Sequence, residues 1–477
     1  MNAPLRKVAI AALVMFAALL VNANWVQVGE ARSLKNNPHN VRVLLNEYKN
    51  RRGPIVVDGR AIAQSQKSND QYKYLRTYPG GAMYAPITGY YSIRIGATGL
   101  EQAQNDILSG SSDKLFVKRL SDYFTGRQPQ GGTVDLTINA KAQQTAYNAL
   151  SGKRGAVVAL DPRTGAILAL VSTPSYDPTA LAVHDPQAIQ RSYDGLLHDP
   201  ASPLLDRAIS QTYPPGSTFK VVTTAAALSS GRFHPQSQLD APDKLTLPET
   251  THKLQNFQGE TCGGGGKITL TQALTVSCNT AFGGLGLKLG ASALQKQADA
   301  FGFGHQWSIP MVSAASRVDG NAPPPQVAFT AIGQYSDAVT PLQMALVAAG
   351  IANDGVVMKP YLVKRTLAPD LSTLSVTEPS EFGRAVSSQV ASQMTQMMQS
   401  VVSSGTGTAA QIPGVAVAGK TGTAENVPGQ PTHAWFIAFA PAQNPTVAIA
   451  VIVEHGGTGG VAAAPIARQV MQAVLGR

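Results

Sequence analysis

Tyr213-Pro214-Pro215-Gly216-Ser217-Thr218-Phe219-Lys220 leads directly into an apolar run at residues 221–228. The two prolines and the glycine oppose a helix before Ser217, whereas the run that follows has helical composition and contains no breaker. Ser217 is therefore predicted in the first turn of a new helix, with Lys220 three residues further along the same face. A hydroxyl with a nearby amine at a helix N-terminus, where backbone N–H groups are free, is the minimal set of groups for a covalent nucleophile.

The same Ser-to-Lys spacing occurs a second time, at Ser111 and Lys114, so the spacing alone does not define a catalytic pair. Asp113 lies within this second pair and Gly110 precedes it, which is typical of a solvated loop or a helix start. For Ser217, an ordinary helix start with an exposed lysine remains the alternative interpretation until partner motifs are found.

Length, composition and charge limit the possible classes of function. The 477 residues suggest two domains and a membrane segment, and 44% hydrophobic residues suffice for a sizeable core. The net charge of +10 comes without a dense Lys/Arg run or a basic motif interleaved with aromatic residues, so no nucleic-acid partner is predicted. The charge fits attraction to an anionic membrane or wall polymer equally well.

The N-terminus carries a predicted membrane anchor at residues 1–28. Arg6-Lys7 precede an apolar run at residues 8–21, and the apolar character resumes at Trp25. A basic flank before roughly 20 mostly apolar residues fits one spanning helix with its basic end in the cytoplasm. A cleaved signal peptide is the alternative, with Val21-Asn22-Ala23 as a poor cleavage site. Both interpretations place the rest of the chain outside the cytoplasm, and the anchor would hold it at the plasma membrane.

Cys262 and Cys278 are the only cysteines in the chain. Outside the reducing cytosol such a pair tends to form a disulfide, which here would close a loop of about 15 residues for about 3 kcal/mol of stabilisation. A zinc site needs more ligands than these two. A disulfide is therefore predicted, with two buried free thiols as the alternative.

Two regions of different composition follow the anchor. Residues 29–132 are polar and basic with few apolar periods, and they contain no set of residues suited to catalysis. They are predicted as a smaller, non-catalytic interaction domain that ends in the linker-like stretch at residues 125–132. Residues 133–477 are predicted as the second, larger domain.

Strand patterns occur at both ends of the second domain. Two apolar runs at residues 156–160 and 166–171 flank Asp161-Pro162-Arg163-Thr164-Gly165, which is a hairpin signal. Helical patterns fill the middle, and three more strands are predicted at residues 415–420, 434–440 and 446–453. This order predicts an α+β fold, with one antiparallel sheet built from both ends of the domain and covered by helices.

Two further motifs accompany the Ser217 stretch. Ser277-Cys278-Asn279 is the only Ser-x-Asn in the chain and lies at a predicted break between helices. Lys420-Thr421-Gly422 is the only Lys-Thr-Gly and lies at the end of a predicted edge strand. Separately, the first could be a helix N-cap and the second a strand end with its turn. Together with Ser217 and Lys220 they have the order and spacing of penicillin-recognising serine enzymes.

With these motifs the chain resembles the class B penicillin-binding proteins, and the resemblance extends over nearly its whole length. It implies a serine β-lactamase/transpeptidase-like fold. The short N-terminal domain and the Ser-Cys-Asn motif resemble the penicillin-binding protein A type of actinobacteria. Other matching stretches are Arg52-Gly53, Gly99-Leu100-Glu101, residues 161–169 and residues 215–220, and one departure is Asp206, which stands where asparagine is usual.

The resemblance implies a peptidoglycan D,D-transpeptidase that β-lactams acylate. In such an enzyme the Ser217 hydroxyl attacks the D-Ala–D-Ala bond of a stem peptide, and Lys220, held neutral, takes the proton as general base. Ser277 relays the proton to the leaving amine, and Asn279 binds an amide of the donor peptide.

The Lys-Thr-Gly strand is implied to bind the substrate. Lys420 supplies positive potential, and the hydroxyl groups of Thr421 and Thr423 bind the substrate carboxylate. Gly422 allows the substrate to lie against the strand edge. The backbone N–H groups of Ser217 and Thr423 form the oxyanion hole, in which one donor is typically worth about 3 kcal/mol.

The implied partners are peptidoglycan stem peptides, β-lactams and the plasma membrane, with no metal and no cofactor. The region before residue 133 is too short for a glycosyltransferase domain, so a separate membrane glycan polymerase and division or elongation proteins are expected. The same motifs also serve β-lactamases and D,D-carboxypeptidases, in which water resolves the acyl-enzyme. A non-catalytic penicillin-binding sensor or division scaffold is the alternative from a different class of function.

Overall fold

The structure of the protein is a computed structural model that describes residues 2–30, 33, 48–115, 124, 128, 130–425 and 429–477. Of the predicted linker at residues 125–132, residues 125–127 and 129 lie outside the described residues. The α-helices are α1 Asn2–Asn24, α2 Gly81–Thr88, α3 Gly99–Ala103, α4 Asn105–Leu108, α5 Ala140–Ala149, α6 Thr179–Ala182, α7 Pro186–Leu197, α8 Lys220–Ser229, α9 Leu270–Thr275, α10 Asn279–Leu289, α11 Ala291–Ala300, α12 Pro324–Thr330, α13 Pro341–Ala352, α14 Ser388–Ser404, α15 Gly459–Ala462 and α16 Ala464–Val474. The β-strands are β1 Ile55–Val57, β2 Arg60–Lys67, β3 Tyr74–Thr77, β4 Tyr91–Ser92, β5 Gly96–Ala97, β6 Thr133–Leu136, β7 Gly155–Leu160, β8 Ile167–Thr173, β9 Gln238–Asp240, β10 Lys244–Thr246, β11 Lys253–Gln255, β12 Lys267–Thr269, β13 Val356–Met358, β14 Val363–Leu367, β15 Thr373–Val376, β16 Glu381–Arg384, β17 Ala418–Ala424, β18 His433–Ala440 and β19 Val447–Val453.

The N-terminal helical segment is long and apolar enough to cross a membrane. It runs from Pro4 to Gly29, and its most apolar window has a mean hydropathy of 2.0 with no part of that window buried. At 1.5 Å per residue its 26 residues span about 39 Å, more than the roughly 30 Å of a bilayer core. By length and composition, this segment is a candidate membrane span.

A five-stranded antiparallel sheet lies at the centre of the larger domain, in the order β17-β18-β19-β7-β8. Strands from the start of the domain thus pair with strands from its end, through the β19–β7 contact. The turn between β7 and β8 is closed by hydrogen bonds from the N–H of Asp161 to Ala166 and from the N–H of Gly165 to Asp161. The predicted α+β fold, with one antiparallel sheet built from both ends, is confirmed.

Helices cover both faces of this sheet. α13 packs on β18 and β19 from one side, while α5 and α16 pack from the other. The side chains of β7 alternate accordingly, because successive residues of a strand point to opposite faces. Ala156 and Val158 belong to one buried apolar cluster, and Val157 and Ala159 belong to the other. Among the described strands β17 pairs only with β18, so it is an edge strand whose outer edge is available to other groups.

A second sheet joins the two predicted domains. It has six strands in the order β15-β14-β6-β1-β2-β3. β6 pairs in parallel with β1 and antiparallel with β14, so strands from both sides of the predicted boundary at residue 133 share one sheet. The Arg365 guanidinium and the Asp135 carboxylate, 2.7 Å apart, link the same two strands, β14 and β6. The division into residues 29–132 and 133–477 stays a prediction.

One strand begins later than predicted. The strand expected at residues 415–420 is β17, which runs from Ala418 to Ala424. Residues 412–415 form a tight turn instead, because Ile412 pairs with Val415 and Gly414 has a φ of +72°, a conformation that glycine adopts without strain. Lys420-Thr421-Gly422 therefore lies inside the strand and not at its end.

Candidate active site

Ser217 lies in a single 3₁₀ turn, Gly216–Phe219, which runs directly into α8. Gly216 has a φ of +53°, and a Cβ atom there would lie 2.6 Å from the carbonyl oxygen of Thr423, so only glycine fits between the turn and β17. Ser217 is partly exposed, whereas its neighbours Thr218 and Lys220 are buried. The turn thus presents the predicted nucleophile to solvent and hides the predicted base.

The chain before this turn is fixed from two directions. Tyr213 and Val339 exchange backbone hydrogen bonds of 2.9 and 2.8 Å. The indole N–H of Trp435, on β18, donates to the carbonyl oxygen of Pro214 at 3.0 Å. Because both partners lie on buried segments, the position of Ser217 is set by the sheet and by the core.

Glu454, directly after β19, anchors the same segment through charge. Its carboxylate accepts a hydrogen bond from the Tyr213 hydroxyl at 2.7 Å and pairs with Arg207 at 2.8 Å and Arg154 at 3.1 Å. Burial by itself would raise the pKa of Glu454, but these donors outweigh it and lower the pKa. The carboxylate is therefore ionised and holds Tyr213 at the start of the turn.

Ser277 lies at the break between α9 and α10, as predicted from the sequence. Its φ of +63° is a conformation that costs energy for a residue with a side chain, and it reverses the chain between the two helices. The N–H groups of Ser277 and Cys278 are tied back to the carbonyls of Leu274 and Ala273 at 3.2 and 2.9 Å. This geometry directs both the carbonyl and the hydroxyl of Ser277 towards Lys220.

The amine of Lys220 lies among oxygen atoms of the Ser-x-Asn motif. Its Nζ donates to the Ser277 carbonyl and to Asn279 Oδ1, both at 2.6 Å, and lies 3.2 Å from Ser277 Oγ. Full burial, and then the charge of Lys420, lower the pKa of Lys220 well below its ordinary value. A neutral amine has two N–H bonds for the two carbonyl oxygens, which can only accept, and keeps its lone pair for a proton from a hydroxyl.

Lys420 approaches the Ser277 hydroxyl from the side of β17. It is fully buried on β17, and its Nζ donates to Ser277 Oγ at 2.9 Å and to the Thr421 carbonyl at 3.0 Å. Burial lowers the pKa of Lys420 to about 7. Ser277 Oγ is thus placed between two amines, which brings the three predicted motifs together.

The structure gives Ser217 Oγ no hydrogen-bond partner within the described residues, and the Lys220 bonds go to the Ser-x-Asn motif. The arrangement therefore leaves the Ser217 hydroxyl unrestrained on the open side of the turn. Hydrogen bonds between a nucleophile and its base often form only when substrate is bound.

The remaining residues of β17 differ in their surroundings. The Thr421 hydroxyl is buried and pairs with the Thr406 hydroxyl at 2.5 Å, while Thr423 is partly exposed. A Cβ atom at Gly422 would lie 2.8 Å from Thr218 Cγ2, so glycine is required here for the packing of β17 on the nucleophile turn. Thr406 lies two residues after the end of α14, and the Gly-Thr-Gly composition around it is the only signal in the sequence that could have pointed to it.

Cys262 and Cys278 form a disulfide, with their Cα atoms 6.0 Å apart and both side chains buried. Cys278 lies between Ser277 and Asn279, so the bond ties the motif to the loop at residues 256–266. Within the described ranges, no group of three or more His, Cys, Asp or Glu side chains is arranged to hold a metal ion.

This combination of edge strand, paired lysines and serine turn agrees with a comparison against known families. The family described as “Penicillin binding protein transpeptidase domain” matches residues 155–472. The chain belongs to the penicillin-binding protein transpeptidase family. A second family, described as “Penicillin binding protein A dimerisation domain”, matches residues 52–134 of this penicillin-binding protein.

Individual relatives extend over the whole chain. The penicillin-binding protein is 48% identical to “Peptidoglycan D,D-transpeptidase PbpA” of Mycolicibacterium smegmatis, with 100% of this chain and 99% of that protein covered. It is 30% identical to “Peptidoglycan D,D-transpeptidase MrdA” of Escherichia coli K12, with 96% and 76% covered. The predicted class B, penicillin-binding protein A type is confirmed.

Solved structures share the fold. The structure of penicillin-binding protein A from M. tuberculosis as a ceftriaxone acyl-enzyme complex superposes with a TM-score of 0.88 at 47% identity, covering 90% of this chain and 100% of that chain. Penicillin-binding protein 2 of Pseudomonas aeruginosa superposes with a TM-score of 0.75 at 30% identity, covering 89% and 95%. The first of these relatives is acylated by a β-lactam in its structure.

Proposed function

We propose that the chain is a peptidoglycan D,D-transpeptidase that cross-links stem peptides through an acyl-enzyme on Ser217. The observation that carries this proposal is the position of Ser277 Oγ, 3.2 Å from Lys220 Nζ and 2.9 Å from Lys420 Nζ, beside the turn that presents Ser217. Two amines of lowered pKa around one hydroxyl form a path along which a proton can move between a nucleophile and a leaving group.

Acylation uses this path. Ser217 Oγ attacks the carbonyl carbon of the penultimate D-Ala, and its proton passes to the lone pair of Lys220. The new Oγ–C bond forms a tetrahedral intermediate, whose collapse breaks the C–N bond to the terminal D-Ala. Lys220 returns the proton through Ser277 Oγ to the departing amine, so free D-Ala leaves in a neutral step.

The substrate is held along β17. The terminal carboxylate lies against the hydroxyls of Thr421 and Thr423, where the positive charge of Lys420 favours it. The backbone N–H groups of Ser217 and Thr423 stabilise the negative oxygen of the intermediate. Asn279 binds an amide of the donor peptide. The outer edge of β17 is unpaired within the described residues, so the donor can add to the sheet as a strand.

The second half-reaction transfers the acyl group. An amine of a neighbouring stem peptide attacks the ester carbonyl, gives its proton to Lys220 and displaces Ser217 Oγ, which takes the proton back. An amide cross-link forms and the enzyme is regenerated. A β-lactam enters the same first step, and because its leaving nitrogen stays tethered to the acyl group, the ester persists.

The anchor and the partners belong to the same proposal. The helical segment at residues 4–29 holds the enzyme in the plasma membrane, and the domain at residues 133–477 works on the wall side. Cross-linking needs newly polymerised glycan, which a separate membrane polymerase supplies in company with division or elongation proteins.

The product of a stem-peptide assay tests this function. The full chain in detergent receives a pentapeptide ending in D-Ala–D-Ala, with and without an acceptor peptide that has a free side-chain amine. A transpeptidase forms the cross-linked dimer and releases one D-Ala per dimer. Tetrapeptide without dimer, at saturating acceptor, would identify a D,D-carboxypeptidase, and no D-Ala release would indicate a sensor or scaffold.

A further inference from the structure

The N-terminus of α10 lies inside the Ser277–Asn279 motif and lacks a cap of its own. Its N-cap residue is Cys278, whose side chain makes no cap hydrogen bond and is part of the disulfide. The first N–H groups of a helix have no partner within the helix, and the side chain of Ser, Thr, Asp or Asn at the N-cap usually accepts from them. These groups are buried here, since Thr280 is fully buried, so an acceptor from elsewhere in the chain is required.

Asn256, more than twenty residues earlier in the chain, supplies that acceptor. Its Oδ1 accepts hydrogen bonds from the N–H of Asn279 at 2.8 Å and from the N–H of Thr280 at 3.0 Å. Its Nδ2 donates to the Glu260 carbonyl at 2.9 Å, across the short turn that follows β11. The side chain is only 8% exposed, and both ends of its amide are engaged, so its orientation is fixed.

The same segment also controls the side chain of Asn279. Asn279 Nδ2 donates to the carbonyl of Gln255 at 3.2 Å, while Oδ1 accepts from Lys220 Nζ at 2.6 Å. The backbone and the side chain of Asn279 are therefore both held by two consecutive residues of one segment. Any displacement of that segment would change the distance between Asn279 Oδ1 and the amine of Lys220.

We propose that Asn256 is a positioning residue for the acylation step, one that caps α10 from outside the helix and so holds Asn279 against Lys220. The inference rests on the proposed function of Ser217 and Lys220. Asn256 acts through Asn279 and Lys220, and it lies in none of the three motifs. The disulfide ties the residue before Asn279 to the same segment, so cap and disulfide hold the motif from two sides.

The test compares acylation rates by a fluorescent penicillin for four full-length proteins in detergent, across a range of pH. They are the wild type, Asn256→Leu, Asn256→Asp and Asp185→Ala. Leucine has the branched shape of asparagine, though it is larger, and it removes the acceptor, whereas aspartate keeps the acceptor. Asp185 caps α7 with two hydrogen bonds of 2.9 and 3.1 Å, so its removal is the matched loss of a cap at another helix.

We expect Asn256→Leu to be acylated about 10- to 100-fold more slowly than the wild type, because small displacements of catalytic groups lower a rate by factors of this size. Asp185→Ala should acylate at the wild-type rate even where its melting temperature falls. Asn256→Asp should recover most of the rate at its own pH optimum, with the acid limb of its profile displaced upward, because a carboxylate near Lys220 favours the protonated amine. A cap that only stabilises the fold would lower the melting temperature of Asn256→Leu and leave its acylation rate unchanged.

The outcomes separate this inference from the function on which it rests. A wild type that is not acylated removes the proposed function. A wild type that is acylated, beside an Asn256→Leu variant of equal rate, removes the positioning role, and so does an Asn256→Asp variant as slow as the leucine variant. If Asn256→Leu shows no cooperative melting, the aspartate variant decides, because an undisplaced acid limb contradicts the proposal.

Discussion

Ser277 Oγ lies between two buried amines whose pKa values are both lowered, Lys220 by burial and by Lys420, and Lys420 by burial. Two positive charges this close repel each other, and this repulsion disfavours the state in which both amines are protonated. In the proposed mechanism Lys220 must be neutral to accept a proton, whereas a positive charge on Lys420 favours the substrate carboxylate. The proposal therefore needs one neutral and one charged amine side by side.

The pH dependence of acylation follows from the Lys420 pKa of about 7. Below this value Lys420 is charged and attracts the penicillin carboxylate, and above it the charge is lost, so acylation of the wild type should decline as pH rises through about 7. Lys420→Arg should lack this alkaline limb at a reduced overall rate, because arginine stays charged at every accessible pH. Acylation rates across pH measure the effect.

Lys288→Arg is the control for this profile, since Lys288 is a half-exposed lysine that pairs with Asp240 on the surface. It should keep the wild-type profile. An alkaline limb that persists unchanged in Lys420→Arg would contradict the role of Lys420 as the titrating cation.

Gly422 tests how closely β17 is fitted to the nucleophile turn. In Gly422→Ala the new methyl group would lie 2.8 Å from Thr218 Cγ2 and from Trp435 Cβ, which is too close for either to remain in place. We expect a loss of about 1–3 kcal/mol in the free energy of unfolding and slower acylation. Thr218→Ser removes one of the two clashing groups and should restore part of both losses.

Gly284→Ala is the matched substitution, because no atom lies within 4 Å of a Cβ atom at this helical glycine. It should leave acylation unchanged and stabilise the fold by up to about 1 kcal/mol. A Gly422→Ala enzyme with wild-type stability and rate would contradict the packing role of Gly422.

At the scale of elements, the disulfide joins the loop after β11 to the N-terminus of α10. Replacing both Cys262 and Cys278 by serine should lower the free energy of unfolding by about 3 kcal/mol, as expected for a closed loop of about 15 residues. It should also slow acylation, because Cys278 lies between Ser277 and Asn279. Denaturant unfolding and acylation rates measure the two effects.

The bond itself is checked in the unmodified protein. Non-reducing peptide mass spectrometry of the exported chain should find the peptides of Cys262 and Cys278 linked. Two thiols that react with an alkylating reagent before reduction would contradict the disulfide.

The elements near the site differ in how far local sequence determines them. The hairpin at residues 161–165 and the break at Ser277 follow from turn residues within a few positions, and both are as predicted. The predicted start of β17 is three residues too early, because the turn at residues 412–415 depends on the pairing of Ile412 with Val415, which apolar composition does not reveal. Asn256 and Thr406 contact the motifs from 23 and 15 residues away in the sequence. Even the Gly-Thr-Gly composition around Thr406 does not show which residue it contacts.

At the scale of the whole molecule, one sheet built from β1 to β3, β6, β14 and β15 connects the N-terminal region to the larger domain. Two pairings of this sheet, β6 with β1 and β6 with β14, join strands more than 70 residues apart in the sequence. Composition separates the chain at residue 132 because the linker is polar, but hydrogen bonding between distant strands does not follow composition. Sequence patterns therefore predicted the sheet beneath the active site and missed the sheet between the regions.

The N-terminal segment predicts how the whole protein behaves in a cell. Because this 26-residue helical segment is long and apolar enough to span a membrane, the full chain should remain with the membrane fraction after an alkaline carbonate wash. Leu13→Arg should increase the washed-out fraction, since arginine at the centre of a span costs about 2.5–3.5 kcal/mol on insertion scales. Leu371→Arg, at an exposed leucine of the larger domain, is the control and should not increase the washed-out fraction. Equal release of wild type and Leu13→Arg would contradict a spanning anchor.

The intact mass of the full chain after incubation with benzylpenicillin shows directly whether Ser217 forms the acyl-enzyme. We expect one penicilloyl adduct on the wild type, mapped by peptide sequencing to Ser217. We expect the same adduct on Ser111→Ala, which alters the second Ser-to-Lys pair, and no adduct on Ser217→Ala. A wild type of unchanged mass, or an adduct that persists in Ser217→Ala, would contradict an acyl-enzyme on Ser217.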